Sequence, residues 1–564
     1  MKHILIFSLI LSLAATALSQ SKVERDLISL SEDVLKDLQK FYPVGASGKG
    51  IHDYDYLLPD FSPSAIRGEI ADLKKFEQRL AKFNDRNLSA RQRTDLKLLK
   101  SEVDIALHDL HKLKWHEINP YLYVQTALQG IYTIVMSHHA PLNERAQNIN
   151  ARFKVMPDLF SQAKGNLNKP APIYTDLAIE TIPQVITFFE SVRDQISREL
   201  PPLTGEVTTN TAKAINALKD FESYLGTIER GAPSAFAMGK DDFDYRLKNQ
   251  YFMDIDSDSL VKIGETMLAW ADSAYDAWLT RLENNVSSAD SVFILKCVQK
   301  QDMLDYYAWE VRQTKAFLIQ NDLLTVPDDI GPVEVIETPP FLRNVISSIA
   351  YNPPGTFNSV QTGYFYVRPI PDTLDDGQRE AYYRYIQRRG FKGSVVHEAY
   401  PGHHYQFQMS ARLNNNLRKW VENASFYEGW ALYCEQMMYD EGFYGGDERS
   451  YLRVLNGIKF RAARIIADVK LHARKEPVES VLVWMAALFN EDTATTRKEI
   501  NWYCLQPTVP MSYLTGKMEI IALREAVMQA EGTNFNLRAF HDRLMAEGAI
   551  PPRLFWEIWG LPRK

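Results

Sequence analysis

Eight consecutive positions, His397-Glu398-Ala399-Tyr400-Pro401-Gly402-His403-His404, hold three of the chain's 12 histidines and a glutamate. Imidazole nitrogen and carboxylate oxygen are the donors that bind zinc where paired cysteines are missing, and this chain has no C-x-x-C. Downstream, Glu428-Gly429-Trp430-Ala431-Leu432-Tyr433-Cys434-Glu435 offers carboxylates on a second expected helix. In an H-E-x-x-H site, two histidines four apart share one helix face and reach one ion. Here the residue four beyond His397 is Pro401. On an unbroken helix His403 would point roughly 120° away from His397, and His404 would lie about 10 Å further along the axis. The helix must therefore be distorted. Pro401 removes a backbone donor and Gly402 accepts unusual dihedrals, so a two-residue bulge here brings His403 to the ligand position. His404 is the alternative ligand, or else a neighbouring contact to substrate.

Each residue then has an expected role. His397, His403 and Glu428 form a metal triad that leaves a coordination position open, as catalytic zinc requires. Glu398 faces that position and is the expected general base toward a metal-activated water. Glu435, seven residues beyond Glu428, lies on the same helical face and is placed to orient a ligand imidazole. Tyr513 and Lys517, at i,i+4, suit an oxyanion donor and a group that holds a substrate carboxylate. Asp468 and His472 form a further i,i+4 pair, with His472 a candidate substrate contact.

The elements that must carry these residues read as helices. Ser62-Pro63-Ser64 signals a helix start, followed by an apolar stripe Ile66, Ile70, Leu73, Phe76, Leu80 and Phe83. Leu96, Leu99, Val103, Ala106, Leu110 and Leu113 form a second stripe, with His108 and His111 on the polar side as a solvated or half-buried pair. His138-His139 marks a helix end. Further helices are expected over 377–389 and from Arg449 to about Lys475. Val333–Glu337 and Gly363–Val367 read as strands, and Pro369 after the second suggests an edge open to an extended peptide, with Tyr366 as a substrate contact. The expectation is a mainly α fold, large and helical, with a small β-sheet next to the metal helix. A helical region over 20–245 and a catalytic region over 246–564 divide it.

Bulk properties narrow the function. Among 564 residues, 45% are hydrophobic and 24% charged, with net charge −7 and the two signs interleaved. That describes a globular chain with no clustered basic excess for nucleic acid. The run Ile4–Leu13 after Met1-Lys2-His3, followed by small residues up to Ser19, reads as a signal peptide over 1–19. It is too short to span a bilayer, so an exported protein without stable membrane insertion is expected. Cys297, Cys434 and Cys504 are too few for a disulfide framework and are expected to be buried.

Val396-His397-Glu398-Ala399-Tyr400-Pro401-Gly402-His403-His404-Tyr405-Gln406 followed by Glu428-Gly429-Trp430-Ala431-Leu432-Tyr433 resembles the bacterial family catalogued as domain of unknown function 885, DUF885. Later blocks agree: Arg461-Ala462-Ala463-Arg464 with Asp468 and His472, then Glu499, Pro510 to Tyr513, Gly516-Lys517 and Phe540-His541-Asp542. Val469-Lys470 and Val509-Pro510-Met511 depart from the family's usual residues on the expected substrate side. The resemblance implies a helical fold akin to gluzincin metallopeptidases and a zinc-dependent peptidase acting on peptide substrates. A peptide-binding protein without turnover and a hydrolase of esters or non-peptide amides are the alternatives.

Overall fold

The computed structural model describes residues 22–83, 85–284, 300–343, 349–370, 373–388 and 391–563; the expected signal segment, Cys297 and Arg389 lie outside the described residues. The chain is mainly α. Its long helices are α1 (Lys22–Phe41), α2 (Pro63–Leu80), α3 (Ala90–Leu107), α4 (Pro120–Ser137), α5 (Leu142–Asn166), α6 (Pro172–Glu199), α7 (Thr204–Leu225), α8 (Ser257–Asn284) and α9 (Lys300–Gln320). Three strands follow, β1 (Val333–Glu337), β2 (Ile349–Asn352) and β3 (Gly363–Val367). The second half continues with α10 (Asp376–Arg388), α11 (Phe391–Glu398), α12 (His403–Ala411), α13 (Ala424–Asp440), α14 (Arg449–Asp468), α15 (Thr493–Leu505) and α16 (Ser512–Glu531).

Local chemistry sets these boundaries. The Ser62 side chain accepts from the Ala65 N–H and Pro63 takes the first helical position, which starts α2. Ser89 and Gln92 form a reciprocal capping box on α3, and Leu98, Leu99 and Val103 are buried along it. Beyond Leu107 the coil widens to a π-turn over His108–Leu113. There His108 is buried, not solvated or half-buried, and its Nε2 lies 3.0 Å from Asp242. His138 ends α4 with a left-handed φ of 47°.

Helices α4 to α7 pack as a group around Phe153, Phe160, Phe189 and Phe221. A second core joins Leu30 of α1 and Leu99 of α3 to Val395, Val396, Trp430, Phe540 and Phe555, so apolar packing runs across residue 245. The sheet has the order β1-β3-β2, with β3 parallel to β1 and antiparallel to β2. β3 is therefore the central strand, which corrects its reading as a peptide-binding edge. Its alternation serves two cores at once: Tyr364 and Tyr366 pack toward α4–α7, while Phe365 and Val367 pack toward the metal helix. Pro369 lies beyond the strand end, where it removes no ladder hydrogen bond. β2, four residues long, is too short to show a pattern in sequence. Among the described residues no helix is long and apolar enough to cross a membrane, and Cys434 and Cys504 are free and buried.

Candidate metal centre

The helix that begins with α11 breaks directly after Glu398 and resumes at His403. Across the break the Gly402 N–H donates to the Val396 carbonyl (3.0 Å) and the Tyr405 N–H to the Ala399 carbonyl (3.2 Å). Both bonds reach back six residues where an α-helix reaches back four, so the loop inserts two residues into the helix. Only glycine fits at 402, because a Cβ there would lie 1.8 Å from the His397 carbonyl oxygen. The buried indole of Trp430 donates to the Pro401 carbonyl (2.8 Å) and pins the loop to α13.

This bulge sets His403 beside His397. His397 Nε2 lies 3.4 Å and His403 Nε2 3.3 Å from the same Glu428 Oε2. The two imidazole rings meet at 86° with centroids 4.8 Å apart. A tetrahedral ion with bonds of about 2.0–2.1 Å has ligand–ligand edges of about 3.3 Å, and these separations match that edge. Glu428 Oε2 is buried and makes no hydrogen bond, the condition of a donor atom suited to a cation. The residues therefore fit zinc. His52, Asp55 and His139 also cluster, but the two rings there stack 3.4 Å apart at 6°. Parallel ring planes cannot aim both in-plane lone pairs at one ion.

Electrostatics favour a cation at the first cluster. Burial works against a charged His397, yet the carboxylates of Glu428, Glu435 and Glu398 around it outweigh it and lift the imidazole to about 10. Burial also raises Glu428, but His403 and His397 hold it below the usual carboxylate range. His397 Nδ1–H donates to Glu435 Oε1 (2.9 Å), which leaves the Nε2 lone pair turned toward Glu428 and His403. Arg461 lies 3.6 Å from that same Glu435 oxygen. Glu398 is half-buried and makes no hydrogen bond among the described residues.

Helices α13 and α16 bring the second half of the site together. They cross where Gly429 meets Gly516, a Cβ on the first falling 2.5 Å from the backbone of the second. That close approach sets Tyr513 against Glu428. Burial pushes the Tyr513 phenol well above its ordinary value and the nearby Glu428 charge adds to this, so Tyr513 stays a neutral phenol with a proton to donate. Tyr427 lays its ring edge-on against His403, with centroids 5.9 Å apart. Lys517, one turn along α16, is 2% exposed and its Nζ has no hydrogen-bond partner. Burial lowers it to about 8 against the opposing pull of Glu435 and Asp440.

Three expected substrate contacts lie elsewhere. His404 is fully buried: Nε2–H donates to the Gly331 carbonyl (2.9 Å) and Nδ1 accepts from the Tyr351 hydroxyl (2.8 Å). With both nitrogens engaged it ties the metal helix to the sheet and is open neither to an ion nor to substrate. Tyr366 is 1% exposed, its hydroxyl hydrogen-bonded to that of Tyr132, because a central strand turns both faces into core. His472 is fully buried, with Nε2–H donating to the Tyr503 carbonyl (2.9 Å) and its ring edge against Phe236. Asp468 does not pair with it but accepts the Thr508 and Met511 N–H groups (both 3.2 Å), holding the turn that leads into α16. Sequence reasoning assigned no role to Tyr427, Arg461 or Arg464, which border the site. The i,i+3 spacing of the two arginines was the available signal.

The fold and site define a helical protein with a buried His, His, Glu donor set beside an unpaired glutamate. The family described as "Bacterial protein of unknown function (DUF885)" matches residues 43–557, and the chain belongs to it. Two solved structures are similar. One, from Shewanella oneidensis and described as a lipoprotein of unknown function, has a TM-score of 0.76 at 20% identity, covering 96% of this chain and 100% of that one. The other, described as a lipoprotein from Colwellia psychrerythraea, has a TM-score of 0.77 at 18% identity, covering 95% and 99%. At these identities the likeness extends to the fold. No curated protein matches the chain.

Proposed function

We propose that the protein is an exported zinc-dependent peptidase, related in chemistry to the gluzincin metallopeptidases. One observation carries the reading: two imidazoles and a carboxylate converge at ligand spacing, while the glutamate next to the first histidine has no hydrogen bond to occupy it. A structural zinc site has no use for that glutamate. Zinc held by His397, His403 and Glu428 supplies Lewis acidity to a water and to the substrate carbonyl. Glu398 takes the proton of the attacking water and returns it to the leaving nitrogen. Tyr513, kept as a neutral phenol, donates to the oxygen on which charge develops. Glu435 holds the tautomer and orientation of His397. Short peptides are the proposed substrates by analogy with helical metallopeptidases, and the N-terminal apolar segment supports a periplasmic or secreted location.

The test is mass spectrometry of a mixed peptide library incubated with the zinc-loaded protein and with Glu398→Gln. The proposal requires cleavage by the wild type alone, with zinc retained in both proteins. Peptides left intact by both proteins would overturn it, and a parallel ester and amide series would show whether another bond is cleaved.

A further inference from the structure

Resting on the peptidase reading, we propose that Arg464 determines specificity by binding a carboxylate of the substrate close to the cleaved bond. α14 carries Arg461 and Arg464 one turn apart, and both guanidinium groups lie against the Tyr513 ring, 5.8 and 4.7 Å from its centroid. Arg464 is held in an aromatic cage, 4.8 Å from Phe460 and 5.1 Å from Trp502. Its Nε–H donates to the Tyr503 hydroxyl (3.1 Å) and Nη2–H to Glu499 (2.9 Å). The Nη1 donors have no hydrogen-bond partner among the described residues. A rigid guanidinium with one arm of its fork unused is built for a planar oxyanion.

The surrounding charge points the same way. Glu435 is shared between His397 and Arg461, Glu499 serves Arg464, and Lys517 has no hydrogen-bond partner, with Asp440 and Arg524 also facing it. The wall beyond Tyr513 thus carries more fixed positive charge than its carboxylates neutralise. The Tyr513 ring lies 6.4 Å from the His397 ring and 4.7 Å from the Arg464 guanidinium, so the guanidinium stands about one phenol ring from the metal residues. An extended chain covers that span in about two residues. The preferred substrate is therefore a peptide with a carboxylate one or two residues from the scissile bond, either its C-terminus or an Asp or Glu side chain.

The experiment measures kcat/KM of the zinc-loaded wild type on matched peptide pairs. In one series the C-terminus is free acid or amide; in the other Asp or Glu near the cleaved bond is replaced by Asn or Gln. A preference of tenfold or more for the carboxylate member of either series is expected, and the responding series names the source. Arg464→Gln should bring that ratio to about one, with Arg464→Lys between the two. A structural cage would lower both members of a pair equally. Equal rates in both wild-type series overturn the proposal, as does an Arg464→Gln protein that keeps the ratio. If Arg464→Gln does not fold, the wild-type ratio decides. If the wild type cleaves no peptide, the peptidase reading falls. The same pairs are then titrated calorimetrically into zinc-loaded Glu398→Gln, where carboxylate-selective binding upholds the role of Arg464 and equal or absent binding overturns it.

Discussion

Gly429→Ala is a minimal change with a calculable consequence for the metal. The added Cβ would sit 2.5 Å from the Gly516 carbonyl carbon, 2.6 Å from its Cα and 2.8 Å from the Lys517 nitrogen. Carbon atoms rest at about 3.5 Å, so α13 and α16 must part by about 1 Å where they cross. All three atoms are backbone, which leaves no side chain to rotate out of the way. Overpacking of this kind costs about 1–3 kcal/mol, offset by about 1 kcal/mol from alanine's better helix propensity. The larger effect falls on Glu428, the adjacent residue on α13. Metal sites tolerate about 0.2 Å in ligand distance, so a shift near 1 Å should weaken zinc by on the order of 10–100-fold, the loss typical of disturbed ligand support. Competition with a chromogenic chelator reads the affinity, and urea unfolding reads the stability. Gly68→Ala is the control: it lies within α2, a Cβ there meets nothing within 4 Å, and it should stabilise by about 0.5–1 kcal/mol. A Gly429→Ala protein with wild-type zinc affinity would refute the argument that this crossing positions the ligand.

Other outcomes follow from the same geometry. Glu435→Gln removes the charge that accepts the His397 Nδ1 proton, and zinc affinity should drop by about 10–100-fold in the same chelator assay. His404→Phe strands the Tyr351 hydroxyl and the Gly331 carbonyl, so urea unfolding should show a loss of about 2–4 kcal/mol; elemental analysis should still find one zinc per chain, and loss of the metal would mean that His404 is a ligand. His541 is buried between the Leu323 carbonyl and the Tyr433 hydroxyl, and burial lowers it from 6.5 to about 4. Its unfolded form takes up a proton as pH falls through 6.5 while the folded form does not, so its contribution is full above 6.5 and lost toward 4. Measured on metal-free protein, the stability difference between wild type and His541→Asn should shrink by about 3 kcal/mol over that window, at about 1.36 kcal/mol per unit. A difference that stays constant with pH would show that His541 titrates normally.

The metal residues were legible because their chemistry and their geometry conflict in the sequence. Histidine density calls for an ion, helical spacing forbids one, and Pro401-Gly402 resolves the conflict through a two-residue insertion that the hydrogen bonds from Gly402 and Tyr405 display. The helical body was legible from a cap at Ser62 and from apolar stripes such as Leu99 and Val103, while the capping box at Ser89 emerged only in the structure. The substrate side was not. A polar ring on an apolar strand or helix reads alike whether it faces a cleft or a core, and Tyr366 and His472 face cores. The position of β3 in the sheet depended on β2, whose four residues carry no pattern. Arg464 and Tyr513 lie far apart in sequence, so their contact belongs to the packing of α14 against α16, which no local spacing encodes.

The most direct test of the account is anomalous diffraction at the zinc edge from crystals of the zinc-loaded protein. It predicts one strong peak per chain, about 2.0–2.2 Å from His397 Nε2, His403 Nε2 and a Glu428 carboxylate oxygen, with a fourth position open toward Glu398. A peak beside His404 or between His52 and His139, or none at the His397 cluster, would contradict it.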